Sequence, residues 1–293
     1  YGCPIAGTWP EMRRVPRTHM LHCGRIGDAV SAVEPDLIVG IGIRHNGRGK
    51  PQDFDAFKST QRLIAIGPDV ANFQNMPGLE LAILADELRT LESLKAVGSE
   101  STFNERLVWA EAKAADLHTR RKKVAQSVAP QPGRVRPWVL VDALDQALER
   151  LGGGLVMVEQ YALPIDSRGE AYGVGRNTYI RAAGGSEGYG IGGAIGVKVA
   201  APSRPVVGIV GDGSMYYADS GLWTVVHHQI PVLFVIPNNQ AYGIVASNFE
   251  RAGGTMKGTG EYPGVVLDGI DPVKIAEGFG VGGMHVEDES DLE

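Results

Sequence analysis

The chain has 293 residues, 43% of them hydrophobic, which suffices to bury two cores rather than one. A net charge of −6 offers no electrostatic footprint for nucleic acid, and no apolar run approaches the roughly 18 residues that a membrane-spanning helix needs. Two cysteines, Cys3 and Cys23, form neither a CxxC pair nor a disulfide framework, so a soluble protein of a reducing, cytoplasmic compartment is expected. Forty glycines lie in short clusters without a repeat, which suits an α/β chain with tight strand-to-helix turns.

In chain order, DLIVGIGI (36–43) and RLIAIG (62–67) read as short buried parallel strands. LELAILADELRTLESLKAV (79–97) begins with an apolar run and continues as an amphipathic helix. Its Leu84, Leu88, Leu91 and Leu94 recur at steps of three or four. A long helix follows over 104–123, and its basic run 120–123 reads as a solvated helix end. VAQSVAPQPGRVRP (124–137) carries three prolines and few apolar residues, the composition of a linker.

Beyond it, WVLVDALDQALERLG is a predicted helix stopped by Gly152–Gly153–Gly154. Strands are expected at LVMVE (155–159), TYIRAAG (178–184), PVVGIVGD (205–212) and PVLFVIPNN (231–239). Helices are expected at GGAIGVKVAA and SGLWTVVHHQ. Such alternation predicts a doubly wound parallel sheet, with ligands outside the carboxyl ends of its strands. The first residue is not methionine, and both ends of the chain read as cuts, so each domain is expected to be incomplete.

SEGYGIGG contains a literal GxGxxG at Gly188, Gly190 and Gly193, and Asp212 lies about 20 residues on, where a dinucleotide-binding fingerprint wants its ribose acid. An NAD-dependent oxidoreductase is therefore one expectation. Against it, Asp212 sits between glycines in GDGS, where the backbone bends hard and admits a ligand closely. Nor does NAD binding explain Asn238 and Asn239.

Asp212 ends one predicted strand and Asn239 the next. If those strands are neighbours, both side chains emerge at one carboxyl edge, with a backbone carbonyl nearby. A carboxylate, an amide oxygen and a carbonyl form a hard all-oxygen donor set that suits Mg²⁺ or Ca²⁺ and not zinc. Gly213 and Ser214 begin a turn whose N–H groups suit phosphate oxygens.

GDGS…NNQAYG resembles the diphosphate- and metal-binding motif of thiamine diphosphate (ThDP) enzymes. AAGGSEGYGIGGAIGVKVAAPSRPVVGIVGDGS, LWTVVHHQIPVLFVIPNN and GIDPVKIAEGFGV resemble the acetolactate synthase and benzoylformate decarboxylase group. AGTWP, HMLHCGRIG and PDLIVGIGIR fit that group's middle domain in order. The resemblance covers essentially the whole chain. It implies two doubly wound α/β domains: a partial middle domain (1–123), a linker (124–137), and a C-terminally incomplete diphosphate-binding domain (138–293).

The resemblance further implies that Asp212 and Asn239 bind Mg²⁺ through their side chains and Ala241 through its carbonyl. Gly211, Gly213, Ser214 and Tyr242 would lie at the diphosphate, and Gly185 near the carbonyl that receives the cofactor's 4′-amino group. Tyr217 either contacts a phosphate or packs in the core. Ile244, Val245 and Phe249 either line the substrate pocket or pack in the core. The implied activity is decarboxylation of a 2-oxo acid or carboligation, on a small 2-oxo acid or aldehyde. FAD or ADP in the middle domain and a homodimeric or homotetrameric assembly are implied too. The family's activating glutamate belongs to a pyrimidine-binding domain that these residues do not match. A ThDP-binding subunit without catalysis is therefore an alternative.

Two positions depart from the family pattern. Where a bulky apolar residue props the cofactor into its bent shape, the register here puts Glu187. Either Glu187 is an acid beside the cofactor that serves proton transfer, or the turn is one residue longer and Tyr189 or Ile191 does the propping. His45, in GIRHNGRG, falls where the decarboxylase branch brings a histidine to the active site, or is a solvated loop residue. Arg44 and Arg48 of the same loop echo the synthase branch's flavin-proximal arginines. His227 and His228 are expected to be structural.

Overall fold

The computed structural model describes residues 1–7, 15, 19–43, 62–74, 76, 78–98, 103–159, 177–181 and 187–292. The chain divides between Ser127 and Val128 into two compact units. No helix among the described residues is long and apolar enough to cross a membrane.

In the N-terminal unit, β1 (Ile5–Gly7) pairs in parallel with β2 (His22–Arg25). A three-stranded parallel sheet has the order β3 (Leu37–Ile41), β4 (Arg62–Gly67), β5 (Leu79–Leu84). The apolar run at 79–84 is thus a strand. The helix after it, α2 (Glu87–Val97), starts where the Asp86 carboxylate accepts from Arg89 N at 2.9 Å. That bond satisfies one of the first-turn N–H groups that a helix leaves unpaired. The leucine stripe of α2 stays largely uncovered, with Leu88 and Leu91 exposed.

Between β2 and β3 runs α1 (Ile26–Val33), and the long helix is α3 (Asn104–Gln126). Ala110, Ala114 and Leu117 recur on its buried face at steps of four and three, and Ala114 and Leu117 pack on Cys23 and Ala29. His118 Nε2 lies 2.8 Å from the His22 carbonyl oxygen, so that nitrogen carries the proton. The basic run at the end of α3 differs from expectation at one residue. Arg121 Nη2 donates to the Cys23 carbonyl at 2.9 Å, so its guanidinium is held on β2 rather than solvated.

The C-terminal unit opens on α4 (Pro137–Arg150), with Pro137 in the first turn, where its missing N–H costs nothing. Gly153 N donates to Leu148 O at 2.7 Å, and Gly152 and Gly153 have φ of +86° and +102°, a left-handed helix stop that glycine adopts freely. A parallel sheet follows in the order β7 (Thr178–Ile180), β6 (Leu155–Val158), β8 (Val206–Ile209), β9 (Leu233–Val235). Every residue of β6 and β8 is buried, as expected of parallel strands covered on both faces. On one face Val156, Val158, Val207 and Ile209 pack on Val141, Leu144 and Leu148 of α4. On the other, Met157 and Gly208 meet α5 (Gly190–Ala200) at Gly193 and Ala194. Ile191, Val210, Met215 and Leu222 extend that second core.

The order β7-β6-β8-β9 means that the chain leaves β6 towards one edge and later continues from β8 towards the other. The carboxyl ends of β6 and β8 therefore flank the switch point, where doubly wound sheets bind ligands.

Candidate functional site

β8 and β9 are adjacent and in register, Ile209 against Val235. Val210 N extends the pairing by donating to Val235 O at 3.0 Å. Gly211 then turns the chain, and Asp212 opens a one-turn helix, α6 (Asp212–Met215). Asp212 is 3% exposed. On the neighbouring strand the chain runs past Val235 into PNNQAYG. Asn238 Oδ1 accepts from Gln240 N and Asn239 Oδ1 from Ala241 N, both at 3.1 Å. These two successive side-chain turns place Gln240 at φ +53°. The loop is pinned from outside, because Leu267 N donates to Gln240 O and Tyr242 N to Val265 O, each at 2.8 Å.

The two motifs meet at Asp212. Burial pushes its carboxyl above the usual range, and the backbone N–H groups of Gly213, Gln240 and Ala241 pull the other way. Two of those N–H groups, of Gln240 and Ala241, also donate to Asn238 and Asn239. Asp212 Oδ2 is buried without a hydrogen-bond partner among the described residues. An unpaired buried carboxylate oxygen is costly. A cation would satisfy it, and the oxygens on offer beside it are Asn239 Oδ1 and the Ala241 carbonyl. Each of these accepts one N–H, the carbonyl from Gly243 N at 2.9 Å, and retains a lone pair. No cluster of three His, Cys, Asp or Glu side chains suited to a metal occurs among the described residues. The donor set here is accordingly one carboxylate, one amide and one carbonyl, which fits a hard divalent ion.

Aromatic rings close the flank. A Cβ on Gly213 would lie 2.5 Å from the Tyr242 ring, so only glycine lets that ring lie on α6. The Tyr242 and Tyr217 rings stack at 6.0 Å and 24°. Tyr217 is exposed, so it is not a core tyrosine. The Tyr216 hydroxyl is pushed up to about 12, first by burial and then by the charge of Asp212. Ile244, Val245 and Phe249 stand on α7 (Gly243–Ala252), which buries none of its residues. Glu187 is exposed and accepts from Ser214 Oγ at 2.5 Å. Ile191 is committed to the core, and the Tyr189 hydroxyl donates to Val158 O at 2.9 Å. His227 and His228 are exposed, with His227 stacked on Trp223. Gly185, His45, Arg44 and Arg48 lie outside the described residues.

Glu159 received no role from its sequence, yet it organises the turn before α5. It is 1% exposed and accepts from the backbone N–H groups of Gly188, Tyr189 (3.2 Å) and Gly190 (2.6 Å). Burial raises its carboxyl, and those N–H groups oppose the rise. The one available signal was an acid directly after the buried run LVMV. This contact also corrects the dinucleotide expectation. The N–H groups that a pyrophosphate would need at the start of α5 are spent on Glu159. The glycines have packing reasons instead. Gly188 has φ +93°, and a Cβ on Gly190 or Gly193 would meet Glu159 or Met157.

The family model for the thiamine pyrophosphate enzyme C-terminal TPP binding domain matches residues 170–293. That stretch carries the C-terminal TPP-binding domain that the sequence resemblance implies. Among ThDP-enzyme relatives, the chain is 28% identical over 168 residues to benzoylformate decarboxylase of Pseudomonas aeruginosa, covering 57% of this chain and 30% of that protein. It is 27% identical over 264 residues to the acetolactate synthase large subunit of Parasynechococcus marenigrum, covering 88% and 40%. The solved thiamine diphosphate-dependent 4-hydroxybenzoylformate decarboxylase of Rhodococcus jostii RHA1 superposes with a TM-score of 0.67 at 25% identity, covering 99% of this chain and 52% of that one. The chain thus spans about half or less of the length of these relatives. The site from Glu187 to Phe249 lies wholly within the matched ThDP-binding stretch.

Proposed function

We propose that this chain carries the diphosphate- and Mg²⁺-binding half of a ThDP-dependent enzyme that cleaves or forms a C–C bond beside a carbonyl, as in 2-oxo acid decarboxylation or carboligation. The observation that carries the proposal is the buried, unpartnered Oδ2 of Asp212, held beside the NNQAYG loop by adjacent strands. Asp212, Asn239 and the Ala241 carbonyl hold the metal ion. The N–H groups of Gly213 and Ser214 face the diphosphate oxygens, and Tyr242 and Tyr217 shield that end from water. ThDP, when bound, supplies the carbanion and the electron sink. The protein's share is to bind, orient and exclude water, and Ile244, Val245 and Phe249 offer an apolar wall beyond the metal loop. The carboxylate that activates the far end of the cofactor comes from a pyrimidine-binding domain outside these 293 residues.

Titration calorimetry with ThDP, with and without Mg²⁺, tests this. Binding that requires the metal and is lost in Asp212→Ala is expected. Binding of NAD in place of ThDP would overturn the proposal.

A further inference from the structure

Glu187 and Ser214 reach each other across the carboxyl edge. Glu187 precedes the turn into α5, and Ser214 is the third residue of α6. Their O–H···O contact is 2.5 Å, the short range of a hydrogen bond to a charged acceptor. The backbone around it is tied down on both sides. Gly188, Tyr189 and Gly190 donate to Glu159 below the turn, and a Cβ on Gly188 would lie 2.9 Å from Tyr217 Cβ, directly after α6. Glu187 therefore sits where the fold delivers it to Ser214.

A serine hydroxyl has one proton to donate. Here it goes to Glu187, and only oxygen lone pairs remain for an incoming ligand. A diphosphate oxygen is itself an anionic acceptor. Lone pairs facing lone pairs repel, and the Glu187 charge adds to the repulsion. We propose that Glu187 is an internal competitor for the diphosphate, holding the Ser214 hydroxyl so that the ligand gains that donor only by displacing the carboxylate. The consequence is weakened diphosphate affinity and a stronger need for the cation that screens the two anions. This inference rests on the diphosphate-site proposal above. Glu187 acts through Ser214 and is a positioning residue, not a catalytic one.

Calorimetric titration of the whole chain in Mg²⁺ tests it, with ThDP and separately with inorganic pyrophosphate, on wild type, Glu187→Gln, Glu187→Ala, Ser214→Ala and the Glu187→Ala/Ser214→Ala pair. Removing the acid should tighten both ligands, by about tenfold in Glu187→Ala, since a released hydrogen bond to a charged group is of that size. Glu187→Gln should show part of the gain, because an amide still accepts from Ser214 without the charge. In the Ser214→Ala background most of the gain should vanish. Unchanged or weaker binding of both ligands in Glu187→Ala would overturn the inference while leaving the diphosphate site standing. So would a gain for ThDP without one for pyrophosphate, which would place Glu187 at the ring, or an equal gain with and without Ser214. If no variant binds either ligand, the site itself falls and the inference with it. Matched circular dichroism spectra confirm that the variants fold.

Discussion

At Gly190 an added Cβ would lie 2.4 Å from Glu159 Oε2 and 2.7 Å from Val210, whereas at Gly193 the nearest atom is the flexible Met157 methyl at 2.8 Å. Gly190→Ala should therefore cost about 3 kcal/mol, and Gly193→Ala less than about 1.5 kcal/mol, measured by urea unfolding. Equal costs would show that the packing around Glu159 is misjudged. Gly213→Ala pushes a Cβ against the Tyr242 ring and should weaken ThDP binding as well as stability, an outcome that Gly193→Ala does not share. Truncating Glu159 to alanine strands three backbone donors, at a cost of about 2–3 kcal/mol. The placement of Asp212 and Asn239 beyond the ends of successive strands was legible in the sequence, because each follows an apolar run. Glu159 was not, because its role depends on where the first turn of α5 lands.

Between elements, the contact that joins α4 to the C-terminal segment is a bidentate pair. Arg136 Nε and Nη2 each donate to Glu289 at 2.7 Å, and the Arg136 backbone N–H donates to the same carboxylate at 3.0 Å. The Arg136 guanidinium, above all, holds the Glu289 carboxyl down at about 2, against an ordinary 4.5. A depressed folded-state value means the native state binds its proton less readily than the unfolded chain. The stabilisation is therefore complete above about pH 4.5 and is lost as pH falls through about 2. Hydrogen-exchange protection of the Arg136 amide should fall across that window in wild type, and Glu289→Gln should be already low and flat. The α2 stripe shows the converse limit of periodicity. Leu88, Leu91 and Leu94 announced an amphipathic helix, and the helix formed, whereas Leu84 of the same stripe ends β5; nothing in the sequence says whether that helix face is covered.

For the molecule as a whole, ligand binding adds stability by mass action, about 2.7 kcal/mol at a hundredfold excess over Kd. That gain should be local. Hydrogen–deuterium exchange with Mg²⁺ and ThDP is expected to show new protection over 211–217 and 238–243, and none over β4 and β5 of the N-terminal unit. Protection appearing instead at the start of α5 alone would revive a dinucleotide-like site there. On the proposed reading, in which one ion joins the two loops, Asp212→Ala should remove the protection at both together.

The alternation of apolar strands with helices was enough to predict a doubly wound sheet, because burial on both faces demands continuous apolar runs and leaves a visible period. That Asp212 and Asn239 follow two successive apolar strands was likewise legible, but their convergence was conditional on the strands being neighbours. Only the tertiary structure decided that they are neighbours, with Ile209 in register with Val235. It alone assigned the GxGxxG glycines to packing around a buried carboxylate, and Glu187 to the hydroxyl of Ser214. Hydrophobic period is a local property that a sequence carries openly. Which acid meets which donor across a switch point depends on strand order and on the placement of a helix start, and both are settled only when the core packs.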